Sequence, residues 1–158
     1  MRIRQDLRRR RCVCIRVQGS SMLPWVRPGD MILVHSAAME EACCGDVVLF
    51  ERGGRLFAHR LIEKRGGRSP GFVAKGDAHP KADGFLPAKD LFGRVACIYR
   101  GGKRIDLDSP RQLALGRLIS GISRHSWIWD LGARMLFRAA YPLRRLLPVL
   151  RPFGAPVH

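Results

Sequence analysis

The 158-residue chain carries 29 lysines and arginines against 13 acids, a formal net charge of +16. A chain of this length makes one domain with room for an appendage and buries roughly 70% of its unfolded surface, so neither metal nor disulfide is required to hold it together. Its five cysteines, Cys12, Cys14, Cys43, Cys44 and Cys97, are odd in number and include a neighbouring pair, which excludes a secreted disulfide framework; without zinc-type spacing they read as small buried thiols in a reducing compartment.

The charge belongs to the two ends. Residues 1–11 hold six arginines and one acid, Asp6, and read as a disordered basic arm. Residues 111–158 hold eight arginines and one acid, Asp130, whereas 12–110 hold 15 basic and 11 acidic residues. Such ends suit phosphate-rich partners, either nucleic acid or anionic lipid. No apolar h-region follows the first arginines, and no run reaches 18 uninterrupted apolar residues. The expectation is a chain without signal peptide or transmembrane helix, cytoplasmic or peripherally membrane-associated.

From Cys12 to Ile105 short apolar runs alternate with Gly, Pro and Asp, the pattern of strands and turns. Strands are predicted at 13–18, 30–36, 46–52, 55–65, 71–77 and 91–100, with Gly53-Gly54 and Gly101-Gly102 as hairpin turns. The fold class expected for 12–108 is mostly β, a sandwich or a barrel-like antiparallel sheet.

After Ser109-Pro110 the spacing becomes helical, with Ser109 as N-cap and Pro110 at the first helical position. In one continuous helix Arg117, Arg124, Arg134 and Arg138 share an arc. Leu118, Ile119, Ile122, Trp129, Leu136 and Phe137 fall opposite. Trp127, Leu131 and Met135 break this pattern, Gly121 and Gly132 weaken it, and Pro142 ends or kinks it. Residues 109–158 thus read as an amphipathic, basic tail. It suits an interfacial helix, with peripheral membrane contact through 111–151, or a cover for the β domain. No aromatic–basic interleaving or recognition-helix pattern supports nucleic acid as the partner.

One stretch, "QGSSMLPWVRPGD" at 18–30, places two serines before a methionine. Alone it is a turn, because a serine needs an adjacent base to act as a nucleophile. Yet "GSSMLPWVRPGD" resembles the G-x-S-M-x-P…G-D signature of the signal peptidase I and LexA-type superfamily of serine peptidases (S24/S26). There the serine before Met is the nucleophile, which corresponds to Ser21. "GDVVLFE" (45–51), "FAHRLIEK" (57–64), "AKGDAHPKAD" (74–83) and "LFGRVACIYR" (91–100) resemble later segments of that family, in family order. The resemblance covers roughly 13–100 and implies a LexA/signal-peptidase-like β-sheet domain. Where most bacterial members carry a lysine base, this chain has His59. The His59-Arg60 pair is similar to the endoplasmic-reticulum, archaeal and SipW-like signal peptidases.

The resemblance implies Ser21 as nucleophile, His59 as base and Asp83 as the acid that orients it. A neutral imidazole, with an ordinary pKa near 6.5, takes a hydroxyl proton at neutral pH, whereas a lysine near 10.4 needs strong desolvation. Small residues at Gly19 and Ser20 leave backbone N–H groups of Ser20, Ser21 and Met22 accessible as oxyanion or substrate contacts. Competing readings are Ser20 as nucleophile, His79 or His35 as base, and Lys64 or Lys75 in a Ser–Lys dyad. Asp77 is the alternative to Asp83, to assist His59 or hold its loop. Asp30 and Asp46 follow glycines and read as turn residues. The eukaryotic pattern has two acids where this chain has Ala82-Asp83.

The expected function is a serine endopeptidase of the signal peptidase type that cleaves an extended precursor segment without metal or cofactor. The substrate is either a secreted precursor or a particular peptide made in the same cell. The alternative is an inactive relative that binds peptides or an anionic surface. Neither a membrane anchor nor a DNA-binding domain is expected in the eleven residues before the first strand.

Overall fold

The computed structural model describes residues 2–124. In chain order the elements are helix α1 (Arg2–Arg10), strands β1 (Cys12–Arg16), β2 (Met31–Ser36), β3 (Val47–Arg52), β4 (Arg55–Arg65), β5 (Gly71–Lys75) and β6 (Phe85–Pro87), a 3-10 turn (Ala88–Asp90), β7 (Leu91–Arg100), β8 (Lys103–Asp106) and helix α2 (Pro110–Arg124).

The strands form one eight-stranded sheet in the order β1-β2-β7-β3-β4-β5-β6, with β8 added to β7, and every pairing is antiparallel. It curls into a half-barrel, the β architecture of the LexA/S24 type. Curling buries the sheet on both faces. Along β3, Val47 and Leu49 enter one core with Met22, Val26, Ile32, Val34, Val95 and Ile98, whereas Val48 and Phe50 enter a second with Leu61, Phe72, Leu86 and Leu91. Side chains alternate along a strand, so a run such as "VVLF" with no polar break is what two-sided burial requires.

The two glycine pairs form the expected tight turns. Gly53 and Gly54 join Arg52 to its register partner Arg55, and Gly101 and Gly102 join Arg100 to Lys103; all four have positive φ, as type I′ hairpins demand. The six expected strands are present, with ends shifted by one or two residues. β6 and β8 are additions: β6 has only three residues and ends on Pro87, so it lacks a readable alternation.

Two expectations change, and a third, the Ser109 N-cap, holds through its backbone carbonyl rather than its hydroxyl. The disordered arm over 1–11 is instead helix α1, because Ile3 and Leu7 lie one turn apart and Leu7 is buried in the first core with Ile3 packed against it. The cysteines are not mainly buried: Cys97 is, while Cys12, Cys14 and Cys43 are exposed, and all five are free thiols. Helix α2 starts at Pro110 as expected, but the Ser109 hydroxyl donates to the Asp106 carbonyl, and its own carbonyl accepts from the Leu113 N–H.

Helix α2 packs on β4 through small residues. Gly116, Ser120 and Ser123 are buried, and Ser120 Oγ donates to the Leu61 carbonyl at 3.3 Å. A Cβ on Gly116 would lie 2.6 Å from the Gly45 carbonyl oxygen, so glycine permits the close approach. Leu118 and Ile122, on the expected apolar side, are exposed at 61% and 42%. The tail beyond Arg124, including the readings for Trp127 through Pro142, lies outside the described residues.

Candidate active site

The segment between β1 and β2 is fixed at its base by two bonds, Val17 N–H to the Asp30 carbonyl and Gly29 N–H to the Val17 carbonyl, both 2.8 Å. Asp30 accepts from the Arg27 N–H at 2.7 Å and from Arg100 at 2.8 and 2.6 Å, so the Pro-Gly-Asp turn is tied to the far end of β7. These hydrogen bonds, first of all from Arg100, hold the Asp30 carboxyl below the usual carboxylate range against the opposing effect of burial. Met22 and Val26 anchor the segment in the core, and the N–H groups of Trp25 and Val26 both donate to the Met22 carbonyl at 3.0 Å. Ser21 is left half-buried at the rim. Among the described residues its N–H donates to no acceptor.

His59 comes from the middle of β4, opposite Val48, and is 2% exposed. The rings of Phe50 and Phe57 lie 5.8 and 5.7 Å from its imidazole, centroid to centroid. His59 Nε2 is 2.9 Å from Ser21 Oγ, and Nδ1 is 2.6 Å from Asp83 Oδ2. An imidazole protonated on Nδ1 satisfies both contacts: Nδ1–H donates to the carboxylate, and the Nε2 lone pair accepts from the serine hydroxyl. Asp83 Oδ1 and the Asp83 carbonyl both accept from Arg52 Nη1, at 2.8 and 3.0 Å.

The loop carrying Asp83 is sewn down at several points. Asp83 N–H donates to the Ala74 carbonyl at 2.9 Å, and Ala78 N–H donates to the Ser21 carbonyl at 2.8 Å. Gly76 sits against the serine: a Cβ there would lie 2.7 Å from the Ser21 carbonyl oxygen and 3.1 Å from the Ser21 Cβ. Arg60, beside His59 but on the opposite sheet face, grips both oxygens of Asp77 at 2.8 and 2.6 Å and donates to the Gly45 carbonyl at 2.7 Å. Arg60 and Asp77 are both buried.

Ser21, His59 and Asp83, separated by 38 and 24 positions in the chain, therefore meet in one hydrogen-bonded line. The competing residues fall elsewhere. Asp77 belongs to Arg60. Ser20 is exposed, and its carbonyl accepts from the Leu23 N–H. Lys64 Nζ donates to the carbonyls of Glu40 and Ala42. Lys75 pairs with Arg60, which puts it on the opposite sheet face from His59; burial pushes its ammonium pKa down, with Asp77 working against that. His35 lies on β2 opposite Cys12 and Arg94. His79 is exposed, its ring edge-on to His59 at 5.8 Å. Asp46 accepts from the Cys43 N–H at 2.9 Å, and Asp30 from Arg27, so both are turn acids as read. Arg52 and Phe57 were not picked out from sequence, nor was Arg60 as the partner of Asp77, although Asp77 itself was read as an acid that could hold the loop. The signal available for Arg52 was the hairpin register, which puts residues 48, 50 and 52 on the same face as 55, 57 and 59.

The curled antiparallel sheet defines the class as a LexA/S24-like β domain, and in it a serine, a histidine and an acid lie in one hydrogen-bonded line. In comparison with known families, the Peptidase S24-like family matches residues 2–70, a stretch that contains Ser21 and His59 and ends before Asp83. The match supports a relative of the S24/S26 serine peptidases. No curated protein matches the chain. Among the described residues no helix is long and apolar enough to cross a membrane.

Proposed function

We propose that this chain is a serine endopeptidase of the signal peptidase type, in its Ser-His branch. His59 Nε2 takes the proton from Ser21 Oγ as the oxygen attacks the substrate carbonyl. The Ser21 N–H, with that of Met22 beside it, faces the developing oxyanion. Asp83 holds the imidazole on its Nδ1–H tautomer and stabilises the imidazolium. The imidazolium then protonates the leaving amine, and water releases the acyl group from Ser21 by the reverse path.

The observation that carries this reading is the unbroken line Ser21 Oγ–His59–Asp83, at 2.9 and 2.6 Å. The substrate fits as an extended segment. Among the described residues β1 pairs only with β2 and leads towards Ser21, so its other edge offers a row of backbone groups on which a peptide strand could be added. Small side chains near the cut follow from the family resemblance. Peripheral membrane contact through 111–151 is part of the proposal, supported by the exposed Leu118 and Ile122 beside the exposed Arg117.

The test is covalent labelling with a fluorophosphonate. The intact chain is expected to take the label on Ser21, Ser21→Ala to take none, and His59→Ala to label at least about a thousandfold more slowly. Equal labelling of Ser21→Ala overturns the mechanism.

A further inference from the structure

We infer that Arg52 is a positioning residue for the proposed reaction, holding the Asp83 carboxylate in the orientation that His59 needs; this rests on the peptidase reading above. The Asp83 side chain is 8% exposed, so its two oxygens depend on protein partners rather than water. Oδ2 faces His59 Nδ1 at 2.6 Å, and Oδ1 accepts from Arg52 Nη1 at 2.8 Å. With one donor on each oxygen, the carboxylate cannot turn about its Cβ–Cγ bond without breaking a bond. The same guanidinium nitrogen also binds the Asp83 carbonyl at 3.0 Å, so side chain and main chain of one residue are pinned together.

The arginine is itself aimed. Its side chain is 43% exposed, and its guanidinium carbon lies 4.9 Å above the centre of the Phe57 ring. Phe57 is two residues before His59 on β4, and the Gly53-Gly54 turn sets Arg52 opposite Arg55 and Phe50 opposite Phe57. Arg52, Phe57 and His59 thus share one sheet face in a row, and Asp83 bridges the ends of the row. No other cation binds the Asp83 carboxylate among the described residues. Among the described residues Arg52 hydrogen-bonds to Asp83 and not to Ser21, so its effect passes through Asp83 and His59.

The experiment compares wild type, Arg52→Gln, Arg52→Met and Arg52→Lys by fluorophosphonate labelling and by the far-downfield proton resonance of His59 Nδ1–H, a signal that needs no catalysis. Arg52→Gln is expected to lower the maximal labelling rate about 10- to 100-fold, the range for loss of a supporting hydrogen bond, without changing the half-saturating probe concentration. The resonance should broaden or vanish. Arg52→Lys should restore most of both. Arg52→Met keeps the aliphatic stem over Phe57 and stands in if Arg52→Gln does not fold. Wild-type labelling rates and an intact resonance in Arg52→Gln overturn the inference. So does a slowed rate that Lys does not rescue while the resonance stays. If wild type itself takes no label at Ser21, the peptidase reading falls, and the resonance alone decides whether Arg52 positions Asp83.

Discussion

Ser21 and His59 are 38 residues apart in sequence, yet the serine Oγ lies 2.9 Å from the histidine Nε2 because the other ring nitrogen is held by Asp83 at 2.6 Å. The choice between Asp83 and Asp77 therefore has a kinetic consequence. Asp83→Asn removes the charge and invites the wrong tautomer, so labelling and peptide cleavage should fall by about a thousandfold to ten-thousandfold with little change in melting temperature. Asp77→Asn should leave labelling within about tenfold, since Asp77 faces Arg60 and not the imidazole. The reverse ranking in a side-by-side rate measurement would assign the orienting role to Asp77.

The Arg60–Asp77 pair is a stability element. Both side chains are buried and the bond is bidentate, so removing one partner strands a charge in the interior. Asp77→Ala is expected to cost about 3–5 kcal/mol in urea unfolding, whereas the double change Arg60→Met with Asp77→Leu should recover much of that loss. A double variant as unstable as the sum of both singles would show that the pair is not the source.

Much of this was legible in the chain. The Gly-Gly turns marked both hairpins, and the six longer strands followed from apolar runs between turn residues. Ser21 and His59 could be named because their neighbours resemble a known pattern. Residues 1–11 misled because composition outweighed position: six arginines suggested disorder, while Ile3 and Leu7 at helical spacing found a core to pack on. In α2 the sequence left open whether the apolar side meets a membrane or covers the β domain, and it gave no sign of which residues face the sheet. Hydropathy set Leu118 and Ile122 on the apolar side, but close approach to Gly45 selects the small residues Gly116, Ser120 and Ser123. Arg52 escaped notice because an exposed arginine at a hairpin looks like any solvated charge until Asp83 is seen beside it.

The Asp30–Arg100 pair predicts an acid-sensitive contribution to folding. The Asp30 carboxyl is held below its ordinary range in the fold, so its contribution is present above the unfolded pKa of about 3.9 and is lost as pH falls through the lower folded value. Asp30→Asn should destabilise by about 2 kcal/mol at pH 7. Unfolding free energies for wild type and Asp30→Asn should converge between about pH 4 and pH 2. A gap that persists unchanged at the acid end contradicts this.

The proposed membrane contact rests on apolar side chains left exposed on α2. Leu118→Glu with Ile122→Glu replaces them by charges without touching the buried face of the helix. Flotation with vesicles containing anionic lipid should fall at least about tenfold, because each large apolar side chain contributes on the order of 1–2 kcal/mol when it leaves water. Flotation equal to wild type would remove α2 from the contact.

Gly76 tests how closely the loop and the serine are matched. A methyl group there would come within 2.7 Å of the Ser21 carbonyl oxygen, 3.1 Å of its Cβ and 3.2 Å of His79 Nδ1. His79 is exposed and can swing away, but the Ser21 carbonyl is backbone, and it already accepts the Ala78 N–H at 2.8 Å. Gly76→Ala must therefore shift either the serine segment, anchored by Met22 and Val26, or the loop that presents Asp83. A displacement of about 1 Å is enough to lower a rate by about a hundredfold. The expected result is a 10- to 100-fold loss of Ser21 labelling, by about that reasoning, with a melting temperature lowered by only a few degrees. Labelling at the wild-type rate would mean that the loop yields freely and that the Ser21–His59 distance is set without it.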